Sequence, residues 1–166
     1  LWRMPASGPG TPRPLVSAGE QGDQPAISRQ CNRLAYRRQF LDDNIWRLEL
    51  PGPGGKVGSP VLLIASTRAD IIPRYSPDGK RIVFISARSG SLEVWVSASD
   101  GSGAMQLTSM RAPMTGSPRW SPEGERIVFD SNSEGQFELY VISASGGRPR
   151  RMTSHAADDA LASYSR

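Results

Sequence analysis

Apolar residues in this chain fall in short runs separated by polar stretches rich in Gly, Pro, Ser and Asp. Ile82-Val83-Phe84-Ile85 and Ile127-Val128-Phe129 are apolar without alternation, which predicts strands covered on both faces. Leu92-Glu93-Val94-Trp95-Val96 and Phe137-Glu138-Leu139-Tyr140-Val141 predict a following strand that carries an aromatic residue. A fourth segment, Met105-Gln106-Leu107-Thr108 or Arg150-Arg151-Met152-Thr153, is more polar and suits an outer edge facing solvent. Polar turns with glycine separate these segments, at Ser89-Gly90-Ser91, Asp100-Gly101-Ser102-Gly103, Glu134-Gly135-Gln136 and Ser145-Gly146-Gly147.

The pattern repeats. Pro73-Arg74-Tyr75-Ser76-Pro77-Asp78-Gly79-Lys80-Arg81-Ile82-Val83-Phe84 lines up with Pro118-Arg119-Trp120-Ser121-Pro122-Glu123-Gly124-Glu125-Arg126-Ile127-Val128-Phe129. The strand aromatic recurs at Trp2, Trp46, Trp95 and Tyr140, at spacings of 44, 49 and 45. The serine of the tetrapeptide recurs at Ser28, Ser76, Ser121 and Ser165, at spacings of 48, 45 and 44. Two markers with one period, and four short strands per period, predict an all-β fold: a β-propeller of four-stranded antiparallel blades. Ser-Pro-Asp-Gly and Ser-Pro-Glu-Gly are turn chemistry, with Pro fixing φ and Gly tolerating φ > 0. They join an inner strand (73–76, 118–121) to the apolar one (81–86, 126–131).

The 166 residues therefore predict a single partial propeller domain. Three complete blades are expected at about 23–64, 70–108 and 115–153, with the outer half of a blade at 1–16 and one inner strand at 161–165. Such an arc is expected to belong to a longer ring or to close through another chain. Alone it leaves blade faces rich in Ile, Val, Phe and Trp open to water, so self-association through open blade faces is expected.

Gly and Pro total 31, from 17 and 14, and concentrate at predicted turns, which signals an all-β chain rather than disorder. The formal net charge is +4, but the basic residues are scattered and the aromatics keep blade register. Nucleic-acid binding through this segment is not expected, because it needs a contiguous basic stripe. The one cysteine, Cys31, excludes an intrachain disulfide. It stands where Gly79 and Gly124 stand in the other copies. No apolar run is long enough for membrane insertion.

Candidate chemistry is sparse. His155 is the only histidine, with Asp158 and Asp159 nearby, but there is no Gly-x-Ser-x-Gly elbow. Neither metal-ligand spacing nor a phosphate loop is present; Gly52 to Gly58 lacks the Lys-Ser/Thr pair. No catalytic residue, metal or cofactor is expected, and the chain is read as non-enzymatic. One polar position recurs before the inner strands: Asp23, Asp70 and Asp159, with Thr115 in the remaining copy. It reads either as an Asx turn that starts the strand or as a partial ring of carboxylates near one mouth of the central channel. The latter could hold a cation or a basic segment of a partner. Loops at that end (68–72, 111–117, 155–161) vary while the strands do not, and variable loops on a rigid scaffold are where binding resides.

Pro-x-Trp/Tyr-Ser-Pro-Asp-Gly, then Arg-Ile-Val-Phe, Glu-Leu-Tyr/Trp-Val and Leu-Thr, resembles the TolB-like, WD40-like (PD40) propeller repeat. The match is strong at 70–153, good at 154–166 and degraded at 1–64. The resemblance implies the propeller fold and a module that binds a protein or peptide partner, with a periplasmic location as in TolB of the Tol–Pal system. It also leaves two other settings open: the accessory propeller of a prolyl-oligopeptidase or tricorn-type serine peptidase, and the sensor domain of a winged-helix transcription regulator. Fold and activity are separable, and the family supplies no catalytic residue within the propeller.

Overall fold

In the computed structural model the strands form where the apolar runs fall. Residues 2–3, 11–16, 22–29, 33–38, 43–50 and 55–165 are described; Leu1, Met4, Cys31 and Asn32 lie outside them, as do residues 51–54. The chain divides into two units, Leu1–Leu41 and Asp42–Arg166. In the first, β1 (Trp2–Arg3) pairs with β2 (Arg13–Pro14), and β3 (Gly22–Ile27) with β4 (Leu34–Arg38), both antiparallel.

The second unit opens with β5 (Ile45–Arg47) paired to β6 (Val61–Ile64). Two four-stranded antiparallel sheets come next. One holds β7 (Asp70–Tyr75), β8 (Arg81–Ser86), β9 (Glu93–Ala98) and β10 (Met105–Gln106), neighbours in that order. The other holds β11 (Thr115–Trp120), β12 (Arg126–Ser131), β13 (Glu138–Ser143) and β14 (Arg150–Arg151). The fold is all-β, with sequential four-stranded antiparallel sheets at 70–106 and 115–151.

The expected blade at 23–64 falls across the two units. Its described strands pair as β3–β4 in the first unit and β5–β6 in the second. β5 has three residues and an irregularity between Ile45 and Trp46. Between β5 and β6 the sequence holds Pro51, Pro53 and Pro60, none of which can donate a backbone hydrogen bond. Residues 161–165 form no ladder among the described residues.

The inner strands are longer than the sequence predicts, beginning at Asp70 and Thr115 rather than at the prolines. Each contains a β-bulge, between Ile71 and Arg74 and between Gly116 and Arg119, and β3 has the same irregularity between Asp23 and Ala26. At each bulge the residue before proline has positive φ: Gln24 at 49°, Ile72 at 55° and Ser117 at 50°. Leu161 repeats it at 59°. A β-branched, pre-proline residue is among the least suited to that region. The extra residue is accommodated because the ladders on both sides fix the chain.

Packing explains the unalternated apolar runs. Ile82 and Phe84 of β8 join Ile45 and Ile64 in one core, while Val83 and Ile85 join Trp120, Ile127, Phe129 and Tyr140 of the next blade in another. Adjacent residues thus point into different inter-blade layers, and all four on β8 are essentially inaccessible. Each such side chain contributes about 1.5–3 kcal/mol by leaving water.

The tetrapeptides close the inner hairpins and also join blades. Gly79 and Gly124 take φ of 69° and 74° and donate to the carbonyls of Ser76 and Ser121. Arg81 Nη2 donates to the Gly124 carbonyl at 2.7 Å, and its guanidinium lies 4.8 Å from the Trp120 ring centroid. Trp120 Nε1 donates to the Arg74 carbonyl at 3.0 Å.

Candidate binding face

In the second unit the innermost strands β7 and β11 begin at the same end of the blades. That end also carries the turns 87–92 and 132–137 and the linkers 65–69, 109–114 and 154–160. It is the side on which the recurring acidic position falls.

Asp70 is buried. Its backbone N–H donates to the Asp43 carbonyl at 2.7 Å, and its Oδ1 accepts from Arg88 Nη2 at 2.8 Å. Arg88 also donates through Nε to Ser86 Oγ at 2.9 Å, and it spreads over the rings of Phe84 and Trp95 at 5.4 and 5.0 Å. Asp70 Oδ2 and Trp95 Nε1 find no partner among the described residues. Thr115 is also buried; its hydroxyl meets Ser131 Oγ at 3.1 Å. Here the repeat has exchanged a charged solution for a neutral one. Ser133 Oγ meets the Tyr140 hydroxyl at 3.1 Å where Arg88 covers Trp95, and Tyr140 stacks on Phe129.

Asp159 is partly exposed and pairs with His155 Nδ1 at 2.9 Å. This hydrogen bond and the carboxylate charge raise the His155 pKa above its ordinary 6.5. The Asp159 N–H donates to the Phe137 carbonyl at 2.8 Å, and Asp158 Oδ1 accepts from the Phe137 N–H at 2.8 Å. Leu161 N–H donates to Asp130 Oδ2 at 3.0 Å.

Register separates Asp23 from this set. Gly22 opposes Arg38 and Asp23 opposes Arg37, ahead of the bulge, as Asp70 opposes Ser86 and Ile71 opposes Ile85. Gly22 is therefore the counterpart of Asp70, and Asp23 the counterpart of Ile71 and Gly116. Sequence spacing agrees: Asp70 and Thr115 stand three residues before Pro73 and Pro118, whereas Asp23 stands two before Pro25. Asp70, Thr115 and Asp159 share one position, and their described side chains are engaged within the fold.

Two acidic residues outside the predicted set organise this end. Glu93 and Glu138 are fully buried at equivalent places on β9 and β13. Glu93 accepts from Ser91 Oγ at 3.0 Å, Thr108 Oγ1 at 2.6 Å, Met110 N–H at 2.9 Å and Arg111 N–H at 2.8 Å. It thereby ties the third strand to the fourth and to the linker that enters the next blade. Glu138 accepts from Thr153 Oγ1 at 2.5 Å and Gln136 Nε2 at 3.0 Å, and it pairs with Arg151. The Thr153 hydroxyl first, then Gln136 and Arg151, hold its carboxyl below the usual 4.5 against the opposing effect of desolvation. The sequence signal was a Glu inside an apolar strand with a Thr 15 residues on, in both copies.

At the opposite end, a concavity of about 440 Å³ is lined by Arg81, Glu123, Gly124, Glu125, Arg126 and the 143–145 turn. Its Arg81 is committed to the Gly124 carbonyl. Among the described residues no group of His, Cys, Asp and Glu is arranged to hold a metal ion, and no helix is long and apolar enough to cross a membrane.

Repeated antiparallel blades, stacked through two inter-blade cores, define a β-propeller segment. The profile of the TolB beta propeller domain family (PD40) matches residues 54–166, and the chain belongs to that family. Among solved structures it is similar to TolB from Acinetobacter baumannii, at 24% identity and a TM-score of 0.51, over 57% of this chain and 24% of that one. It is similar to a TolB-type protein of Agrobacterium tumefaciens, at 20% identity and a TM-score of 0.54, over 96% of this chain and 57% of that one. It is also similar to a puromycin-hydrolyzing peptidase of Mycobacterium tuberculosis, at 17% identity and a TM-score of 0.50, over 86% of this chain and 25% of that one. The chain thus spans about a quarter to just over half of these proteins' lengths, and at these identities the likeness is one of fold. No curated protein sequence matches it.

Proposed function

We propose that this chain is a non-enzymatic propeller module that binds a protein or peptide partner with the loops at the end where the innermost strands begin. One observation carries the reading. Strands and tetrapeptide turns repeat in register, whereas the linkers 65–69, 109–114 and 154–160 at that end differ in sequence and in bonding. A rigid repeat with divergent loops at one end is the arrangement on which recognition is built. Family membership supports a binding role and a periplasmic site of action, which cell fractionation would check.

The test is panning of a random dodecapeptide phage library on the immobilised chain. Captured peptides are then measured against two exchange variants of unchanged length, one replacing 109–114 and 155–160 with Gly-Ser, the other replacing 99–103. Loss of binding with the first exchange and retention with the second is expected. The reverse pattern removes the assignment of the face.

A second reading, the accessory propeller of a serine peptidase, draws on the peptidase among the structural matches. A reading frame that continues into an α/β-hydrolase domain with a Ser elbow would support it over the first.

A further inference from the structure

The linkers at the proposed face are held in different ways. The linker 109–114 is fixed at both ends. At its start, the successive N–H groups of Met110 and Arg111 converge on the buried Glu93 carboxylate at 2.9 and 2.8 Å. Arg111 has φ of 51°, so these two residues make an anion-binding nest whose anion is a side chain of the same blade. At its end, Met114 N–H donates to Asn132 Oδ1 at 2.8 Å, while its carbonyl accepts from the Asn132 N–H at 3.1 Å and Ser131 Oγ at 3.2 Å. Between them Ala112 is buried and Met110 packs on the inter-blade core. What remains outward is Arg111, Pro113 and Met114, all exposed, Met114 at 51%.

The corresponding linker after Glu138 lacks this clamp. There Arg151 takes the carboxylate, and the Gln136 side chain holds the His155 carbonyl. Of these two junctions, then, the nest is found after Glu93 and not after Glu138. Its left-handed arginine is also a costly choice where glycine would serve the backbone better. A strained, non-glycine residue kept by its surroundings is an observation from which a function is inferred.

Charge indicates what it takes. At this end Asp70 is paired with Arg88, Glu134 with Arg151 and Asp159 with His155. The Arg111 guanidinium has no partner among the described residues, and it sits beside an adaptable thioether and a proline. We infer that the 109–114 linker is a preorganised recognition loop for an acidic, apolar peptide segment, with Arg111 pairing a partner carboxylate and Met114 covering an apolar side chain beside it. Arginine suits paired recognition of a carboxylate, methionine suits a variable apolar contact, and a loop already held in shape loses little freedom on binding. This rests on the proposed binding face and names its partner chemistry.

Arg111→Gly is the decisive variant, because it keeps the left-handed backbone and the Glu93 nest while removing the guanidinium. Three dodecapeptides with one Leu/Trp skeleton and Glu, Gln or Lys at the polar positions, carrying an uncharged dye, are titrated by fluorescence anisotropy. The Glu peptide is expected to bind best. Arg111→Gly should weaken it about tenfold, the size of one charge-assisted pair, with thermal stability unchanged or raised. Arg111→Lys should recover part of the affinity, Met114→Ala should weaken the Glu and Gln peptides alike, and Arg148→Glu at the opposite end should change nothing. Equal binding of the three peptides, or full affinity in Arg111→Gly, overturns the inference. If a peptide binds and the joint exchange of 109–114 and 155–160 abolishes it while Arg111→Gly does not, only this inference falls. If neither panning nor the three peptides yields binding to the parent chain, the face itself falls with it.

Discussion

Replacing Glu93 tests the contact that ties β9 to the fourth strand of its blade and to the 109–114 linker. Its side chain is fully buried and accepts four hydrogen bonds, from two hydroxyls and two linker N–H groups. Glu93→Ala strands the Thr108 hydroxyl and the N–H groups of Met110 and Arg111. At about 1–3 kcal/mol for each buried group left unmet, partly relieved where water enters, the loss is about 4 kcal/mol. Glu93→Gln keeps the shape and one acceptor oxygen but turns an amide NH₂ towards two donors, for a loss of about 2–3 kcal/mol. Urea unfolding followed by far-UV circular dichroism reads both. With a slope of about 1–3 kcal/mol per molar, the midpoint of the Gln variant should fall by about 1 M or more. The Ala variant should fall further, towards the whole stability of a small domain. A Glu93→Gln midpoint within about 0.2 M of the parent would refute the claim that this carboxylate holds the blade junction. A Glu93→Gln/Thr108→Val double-mutant cycle should show coupling, since the two side chains are in contact.

Glu138 titrates below its ordinary 4.5 in the fold, so its contribution is present above that value and lost as pH falls through the lowered folded pKa; urea midpoints between pH 7 and 3 should decline less in Glu138→Gln than in the parent. Arg88→Ala should cost about 3–5 kcal/mol by leaving Asp70 buried without its ion-pair partner. The double change Asp70→Thr/Arg88→Ser, which copies Thr115 and Ser133, should recover much of that loss in the same unfolding assay. Gly79→Ala meets no neighbour within 4 Å but must hold φ of 69°, so a loss of about 1–2 kcal/mol in thermal melts is expected. Gly124→Ala adds contact with Pro77 Cδ at 3.4 Å, and it should lose at least as much.

Period, strand order and turns were legible because each rests on local chemistry. Unalternated runs such as Ile82 to Ile85 mark strands with two covered faces, and Ser-Pro-Asp-Gly marks a hairpin wherever it stands. The recurring acidic position was legible as a position and not as a role. Asp70 reads as a mouth carboxylate until Arg88, 18 residues away, is seen to cover it. Asp23 falls outside that position on spacing alone, two residues before Pro25 where Asp70 stands three before Pro73; the bulges themselves are not legible, because local rules argue against positive φ at Gln24 and Ile72. Glu93 and Glu138 stood in view inside apolar strands, but their donors, Thr108, Met110, Arg111 and Thr153, come from other strands and linkers.

The sequence by itself determined a four-stranded repeat, its period and its turns, since periodicity and turn propensity act over a few residues. Only the tertiary structure decided which polar residues are interior fasteners and which are left facing outward. Burial and hydrogen-bond satisfaction depend on neighbours from different strands and blades. That distinction shows Asp70 paired with Arg88 and Asp159 with His155 within the fold. It also brought forward Arg111, an arginine with nothing to single it out in the sequence, on a linker that Glu93 holds in place.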